Sequence, residues 1–253
     1  MKSYFVTDAH LGSGADSSLR EKQLVDFLVS IEEDADKLFL LGDMFDFWFT
    51  YRHVVPRGFV RILGQLARMA DKGIEVHYYI GNHDMWMFDY MEREIGVVMH
   101  SDVERIELQG KGIMIGHGDG LDAKDRRYNF LKRVFRCRLN QRLFAMVHPG
   151  LSFGIANAWS ESSRRSHRAD CQEYQGDERE GIVQHCLGEL AKAPYDYFIF
   201  GHRHGQVERT LTSNGRTATY INVGNWIERR DYAVMENGEV RTGQWRGWSA
   251  TTD

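Results

Sequence analysis

Strand and helix patterns alternate through the first 80 residues of this 253-residue chain. Three apolar runs predict buried strands over residues 3–7, 37–41 and 74–80. The segments between them, residues 19–33 and 59–72, repeat apolar side chains at helical spacing. This alternation is typical of a β-sheet covered by helices, which binds ligands at the carboxyl ends of its strands.

Polar side chains follow each of these strands at the point where the strand ends. Such side chains are costly when buried without partners, so they indicate a ligand above the sheet. Similar polar residues follow strands that are predicted later in the chain. The set comprises Asp8 and His10, then Asp43, then Asn82, His83 and Asp84, and finally His117, His202 and His204.

The second half begins with a predicted hairpin over residues 103–115 and continues with a helix over 182–190 and a strand over 197–200. After residue 207 the pattern is all strand and turn, which predicts a mostly antiparallel half. We therefore expect one α/β domain over residues 1–253, interrupted by a helical insertion at about residues 121–170.

The predicted insertion differs in charge from the rest of the chain. Residues 121–170 carry eleven basic and four acidic residues, whereas the whole chain has a net charge of −4. An apolar stripe that includes Leu131, Phe135 and Phe144 is interleaved with these arginines, a pattern that can lie at a membrane interface. We expect the segment to meet an anionic partner, with Arg164 and Arg165 as candidate substrate contacts.

The three cysteines have no metal-binding or redox spacing, which predicts free thiols in a reducing compartment. No signal-peptide pattern precedes the first strand, and no apolar run reaches the ~20 residues of a membrane span. These features predict a cytoplasmic protein that touches a membrane only peripherally. Neither a nucleic-acid partner nor an obligate protein partner is predicted.

The polar residues are suited to binding metal ions. Carboxylate, amide and imidazole groups are ligands of hard and borderline metals, and their number fits two ions rather than one tetrahedral zinc. Two-metal sites activate a shared water for attack on phosphorus. We assign the first ion to Asp8, His10, Asp43 and His204, and the second to Asp43, Asn82, His117 and His202, with Asp43 bridging.

Two residues beside the predicted ligands are candidates for catalysis. His83 follows the ligand Asn82, so it can face the substrate and stabilise phosphoryl oxygens or protonate the leaving group. Asp84 is expected to orient His83 or a ligand histidine as a hydrogen-bond acceptor.

The order of these motifs, over about residues 4–204, resembles the calcineurin-like metallophosphoesterases. The resemblance implies a four-layer α/β/β/α sandwich and hydrolysis of phosphate esters or anhydrides. It also implies two divalent metal ions, with Mn²⁺ as the first choice and Fe or Zn as alternatives.

The aromatic stretch after Gly42 and the sequence from Gly116 to Asp119 are similar to one branch of that family, the UDP-2,3-diacylglucosamine diphosphatases of lipid A biosynthesis. This likeness implies a UDP-linked acylated glucosamine lipid as substrate and a peripheral location on the cytoplasmic face of the inner membrane. The insertion would form a lid over the acyl chains. Asp125 matches a position near the substrate, where Asn82 and His83 are also expected.

At one position the chain departs from the main branch of these diphosphatases, which carries arginine where this chain has His83. Histidine is the residue of phosphoesterases at large, so the departure bears on the substrate and not on the reaction class. Two alternatives therefore remain: a phosphoesterase for a soluble nucleotide or phosphoester, and a non-catalytic scaffold that binds proteins. A partly exposed apolar stripe on the insertion favours the lipid substrate.

Overall fold

Four neighbouring parallel strands form one side of the first sheet and include its edge. The computed structural model describes residues 1–155, 174 and 176–247. The strands of this sheet are β1 (Lys2–Val6), β2 (Ala35–Leu40), β3 (Glu75–Tyr79), β4 (Val98–His100), β10 (Asp231–Glu236) and β11 (Glu239–Gln244). Their order is β11-β10-β1-β2-β3-β4, with β10 antiparallel to β1. The last hairpin of the described chain therefore flanks its first strand.

The second sheet has five strands and is also mixed. Its strands are β5 (Glu104–Leu108), β6 (Lys111–Gly116), β7 (Tyr197–Phe200), β8 (Val207–Ser213) and β9 (Arg216–Asn222). They lie in the order β5-β6-β7-β9-β8, with β6, β7 and β9 parallel and the two edge strands antiparallel. Antiparallel strand pairs outnumber parallel ones in the second half, as expected, although β6 and β9 pair with β7 in parallel and the last hairpin joins the first sheet.

Helices cover the outer faces of both sheets. Helices α1 (Ser17–Ile31) and α2 (Val60–Asp71) pack on the first sheet, and α5 (Gly181–Lys192) packs on the second. Between the sheets lies a third apolar layer that contains Phe39, Ile113 and Ile199. Alternate residues of β6 and β7 face this layer and the α5 layer, as the period of two in a strand requires. The four-layer α/β/β/α prediction is confirmed.

The predicted insertion contains two helices, α3 (Arg126–Arg136) and α4 (Arg138–Ala145), and a further helical segment over residues 149–155. No side chain of α3 or α4 is buried. The helices are anchored by aromatic contacts, because the ring of Phe144 lies 4.8 Å from Trp86 and 5.0 Å from Phe49. We call α3, α4 and residues 149–155 the inserted helices. Arg164 and Arg165 lie outside the described residues.

Two short elements escaped the sequence patterns. Strand β4 has three residues, and a π-helix of five residues (Met91–Ile95) precedes it. Neither is long enough to show a clear period. Within the described residues, no helix has the length and apolar character that crossing a bilayer requires.

Candidate metal centre

The predicted metal ligands meet at one edge of the sandwich, where parallel strands of both sheets end. Four of them have a left-handed backbone, with φ of 51° at Asp8, 42° at His10, 52° at Asp43 and 67° at His202. Residues other than glycine adopt this region at a cost of roughly 1–3 kcal/mol, and such residues concentrate at functional sites. The loops therefore hold these side chains in positions that a relaxed backbone would not give.

The first group of converging ligand atoms belongs to Asp8, His10 and His204, which lie within 4.8 Å of one another. Asp8 Oδ1 is 3.7 Å from His10 Nε2 and 3.5 Å from His204 Nε2. The other carboxylate oxygen of Asp8 accepts hydrogen bonds from Thr7 Oγ1 and from the backbone N–H of His202. Asp8 thus has one oxygen fixed by the protein and one facing the two imidazoles.

The second group is formed by Asp43, His117 and His202. Asp43 Oδ2 lies 3.3 Å from His117 Nε2 and 3.7 Å from His10 Nε2, so it stands between the two groups. Asn82 Oδ1 is 3.2 Å from His117 Nε2. The structure therefore brings the seven predicted ligands close together, with the carboxylate of Asp43 between the two groups.

Two glycines allow the loops to approach this closely. A Cβ atom on Gly81 would overlap Asp43 Oδ1, and one on Gly42 would lie 2.8 Å from the His117 ring. Gly42 also has a φ of +87°, which L side chains rarely adopt. Both positions require glycine for steric reasons.

The donor atoms fit a cation. Within the described part of the chain, Asp8 Oδ1 and His10 Nε2 are buried and have no hydrogen-bond partner. A buried polar atom without a partner costs about 1–3 kcal/mol, so a positive ion between these atoms would remove a penalty. Carboxylate, amide and imidazole donors are those that divalent transition metals accept.

The charges of the neighbouring groups also indicate a site for a cation. Burial opposes the charge of His10 and His117, but neighbouring carboxylates raise the pKa of each ring to about 10. Burial also opposes ionisation of Asp8 and Asp43, yet the histidines hold both pKa values below their usual range. The site therefore attracts positive charge, which protons supply when no metal ion is bound.

Protein acceptors orient the two ligand rings nearest the centre. His10 Nδ1 lies 3.3 Å from Asp46 Oδ1, and His117 Nδ1 donates to the carbonyl oxygen of Leu41 at 2.7 Å. In both rings Nδ1 is engaged by the protein, so Nε2 is the nitrogen that faces the site. Partners of this kind fix the tautomer and orientation of metal-binding histidines.

His83 lies beside the predicted ligands and is held by the loop that carries Asp43 and Asp46. Its backbone N–H donates to Asp43 Oδ1 at 2.8 Å, and its Nδ1 donates to the carbonyl oxygen of Asp46 at 2.9 Å. Burial and the charge of His10 lower the pKa of His83, although nearby Asp43 and Asp46 oppose the shift. With Nδ1 fixed on a carbonyl, Nε2 is the nitrogen that exchanges a proton.

Asp84 does not have the contacts that we expected. Its buried carboxylate accepts hydrogen bonds from Tyr78 Oη and from the backbone N–H groups of Met44, Phe45 and Gly81. Burial and the charge of Asp43 raise the pKa of Asp84 to about 6. The expectation that Asp84 orients an imidazole is corrected, because Asp46 contacts His10 and His83 while Asp84 ties two ligand loops together.

Asp125 lies at the N-terminus of α3, where its side chain accepts a hydrogen bond from the backbone N–H of Tyr128 at 2.9 Å. It is exposed and acts as a helix cap, while its predicted contact with substrate stays a prediction. Asp46 was not among the residues predicted from the sequence, although a local signal marks it. Asp46 is a second acidic residue three positions after the bridging Asp43.

Comparison with known proteins agrees with this site. Residues 1–206 match the family model described as calcineurin-like phosphoesterase, and the chain belongs to this family of metal-dependent hydrolases. Among curated relatives, a protein of Porphyromonas gingivalis named UDP-2,3-diacylglucosamine hydrolase is 39% identical over 249 residues, covering 93% of this chain and 94% of its own length. The resemblance inferred from the motifs is confirmed.

Proteins with the same name occur among more distant relatives. The one from Ectopseudomonas mendocina is 27% identical and covers 92% of this chain and 93% of its own. The one from Haemophilus influenzae is 28% identical and covers 94% of this chain and 96% of its own. Each of these alignments covers more than nine tenths of both chains.

Proposed function

We propose that this protein hydrolyses UDP-2,3-diacylglucosamine to UMP and 2,3-diacylglucosamine 1-phosphate, using two divalent metal ions. The observation that carries the proposal is the convergence of seven ligand side chains around Asp43. The curated relatives that share the length of this chain and carry the corresponding name support the choice of substrate.

The proposed ions are Mn²⁺, held by the two ligand groups with Asp43 between them. Carboxylate and amide oxygens suit Mn²⁺, whereas the four imidazoles are equally acceptable to Fe and Zn. When bound, such ions polarise phosphoryl oxygens and lower the pKa of water. Burial and the charge of His117 lower the pKa of His202 to about 4, which keeps that ring neutral and able to bind a metal.

The remaining chemistry belongs to His83. A water oxygen would form a bond to the α-phosphorus of the UDP group, and the bond from that phosphorus to the bridging oxygen would break. The leaving phosphate gains negative charge as the bond breaks, and His83 Nε2 is proposed to stabilise or protonate it. The bond from His83 Nδ1 to the carbonyl oxygen of Asp46 fixes the orientation of the ring, and the protonated ring would present its second N–H, on Nε2, to the leaving phosphate.

The inserted helices are proposed to hold the acyl chains. Several of their apolar side chains are exposed, including Phe130, Leu139, Leu143 and Met146. Their basic neighbours would face anionic phosphates, and the whole surface would rest on the cytoplasmic face of the inner membrane. In this proposal the chain is a single domain with the insertion at about residues 121–170, and Arg164, Arg165 and Asp125 contact the substrate.

The test is incubation with UDP-2,3-diacylglucosamine and Mn²⁺ in water enriched in oxygen-18. We expect UMP and the lipid phosphate in equal amounts, with the heavy oxygen in UMP because attack is at the α-phosphorus. Asp43→Ala should yield neither product. Hydrolysis of a soluble phosphodiester without any release of UMP from the lipid would favour the second function, a phosphoesterase for soluble substrates, for which His83 is the usual residue.

A further inference from the structure

Asp119 is a buried carboxylate two residues after the predicted ligand His117. Its side chain is 6% exposed. Among the described residues it belongs to none of the groups whose atoms converge as possible metal ligands. Its carboxylate therefore lies beside the metal centre without contributing to the ligand groups.

The partners of Asp119 come from the inserted helices. Tyr128 Oη donates to Asp119 Oδ2 at 2.7 Å, and Lys132 Nζ lies 2.7 Å from the same oxygen. Lys132 Nζ also donates to the backbone carbonyl oxygen of Asp119 at 2.9 Å. Tyr128 and Lys132 are four residues apart on α3 and so lie on the same face of that helix.

The next residue lets α3 approach this closely. A Cβ atom on Gly120 would lie 2.9 Å from Asn129 Oδ1 and 3.3 Å from Lys132 Cδ. Since α3 has no buried side chain, such specific contacts hold it in place. Further anchors lie at the far end of α3, where Arg136 pairs with Asp102 and Trp86 Nε1 donates to Phe135 O.

A cleft of about 370 Å³ is lined by residues of α3 and by a predicted metal ligand. Its lining includes Lys132 and Arg136 of α3 together with His117 and Asp119. Its volume is within the range of roughly 300–1,000 Å³ that is usual for small-molecule sites. Helix α3 therefore forms part of the wall of a cleft that also contains a predicted ligand.

We propose that Asp119 is a positioning residue that couples metal occupancy at His117 to the placement of α3. A cation at the second ligand group would attract the Asp119 carboxylate and hold it where Tyr128 and Lys132 bind it. Coupling is reciprocal, so a well-placed α3 would in turn raise the affinity for the cation. This inference rests on the proposed ligand role of His117, and its test separates the two.

The experiment measures Mn²⁺ affinity by calorimetry and hydrogen exchange of residues 126–136 with and without Mn²⁺. In the wild-type protein we expect Mn²⁺ to slow exchange in α3 more than in α2, which serves as the internal reference. In Asp119→Asn this difference should disappear, and Mn²⁺ affinity should fall by roughly 5- to 150-fold, the usual range for coupling between two sites.

Lys132→Met and Lys124→Met form a matched pair, because both remove a lysine from the insertion and only Lys132 binds Asp119. Lys132→Met should behave like Asp119→Asn, and Lys124→Met like the wild type. If Asp119→Asn does not fold, these two lysine variants test the coupling between Mn²⁺ binding and α3 by themselves.

Two results would overturn the coupling: Mn²⁺ binding that leaves exchange in α3 unchanged in the wild type, or an unaltered response in Lys132→Met. A wild-type protein that binds fewer than two Mn²⁺ ions would instead refute the ligand assignment.

Discussion

The metal centre and the inserted helices are built in opposite ways. Asp8, His10 and Asp43 are almost completely buried, and each is held by hydrogen bonds at the end of a sheet strand. In contrast, α3 and α4 bury no side chain, and Phe130 and Met146 remain 68% and 82% exposed. A reaction centre needs fixed distances, whereas a surface that receives flexible chains can adapt. Under the proposed function, the chemistry would thus be separated from the recognition of the substrate.

The largest effect should come from the residue at the centre of the buried region. We expect Asp43→Ala to lose both metal ions and to reduce turnover by at least about 10³-fold, the upper value for loss of a single electrostatic contact. Elemental analysis counts the ions. Asp36→Ala, which removes an exposed carboxylate of β2, is the control and should keep both. Retention of two ions by Asp43→Ala would refute the bridge.

His83 should affect turnover without affecting the metal ions. His83→Ala is expected to reduce kcat by roughly 10²- to 10⁴-fold, the range for loss of a general acid, with two ions still bound. His53→Ala changes an exposed loop histidine and should leave kcat unchanged. Unaltered turnover in His83→Ala would remove its catalytic role, and loss of an ion would make it a ligand instead.

Acidification should weaken metal binding at the buried centre. His10 and His117 have pKa values of about 10 in the metal-free protein, so both rings are protonated at neutral pH and a cation must displace about two protons. Lowering the pH from 8 to 7 should therefore reduce the affinity for Mn²⁺ by up to about 100-fold. Calorimetry in buffers of different ionisation enthalpy counts the protons. An affinity that does not change with pH would contradict this charge balance.

The smallest effect is expected on the inserted helices, and only for an acylated substrate. Replacing Leu139, Leu143 and Met146 by serine should raise KM for UDP-2,3-diacylglucosamine about tenfold, which corresponds to ~1.4 kcal/mol of lost apolar contact. Hydrolysis of a soluble phosphodiester should not change. The same replacement of Leu19, Val29 and Val60, exposed on α1 and α2, is the control. Equal losses on both substrates would argue against an acyl-chain surface.

The two regions also differ in how far the sequence predicts them. The strands that carry the ligands are apolar runs with a polar residue at their ends, so their existence and order follow from local pattern. The hydrogen-bond partner of His83 did not follow from the local sequence pattern. Asp46 and Asp84 each lie within three residues of a predicted ligand, and only the folded loops determine which of the two contacts an imidazole. Likewise, the pairing of β10 with β1 depends on contacts between distant segments, which no local period encodes.

The pairing of β10 with β1 limits where the chain can be truncated. All seven predicted ligands precede residue 206, where the family match ends. However, the N–H of Trp226 donates to the carbonyl oxygen of Asp8, and Asn225 Nδ2 donates to that of His204. A fragment truncated at 206 would keep every donor atom, yet β1 would lose its neighbour and become an open sheet edge. The minimal catalytic unit therefore extends through the closing hairpin.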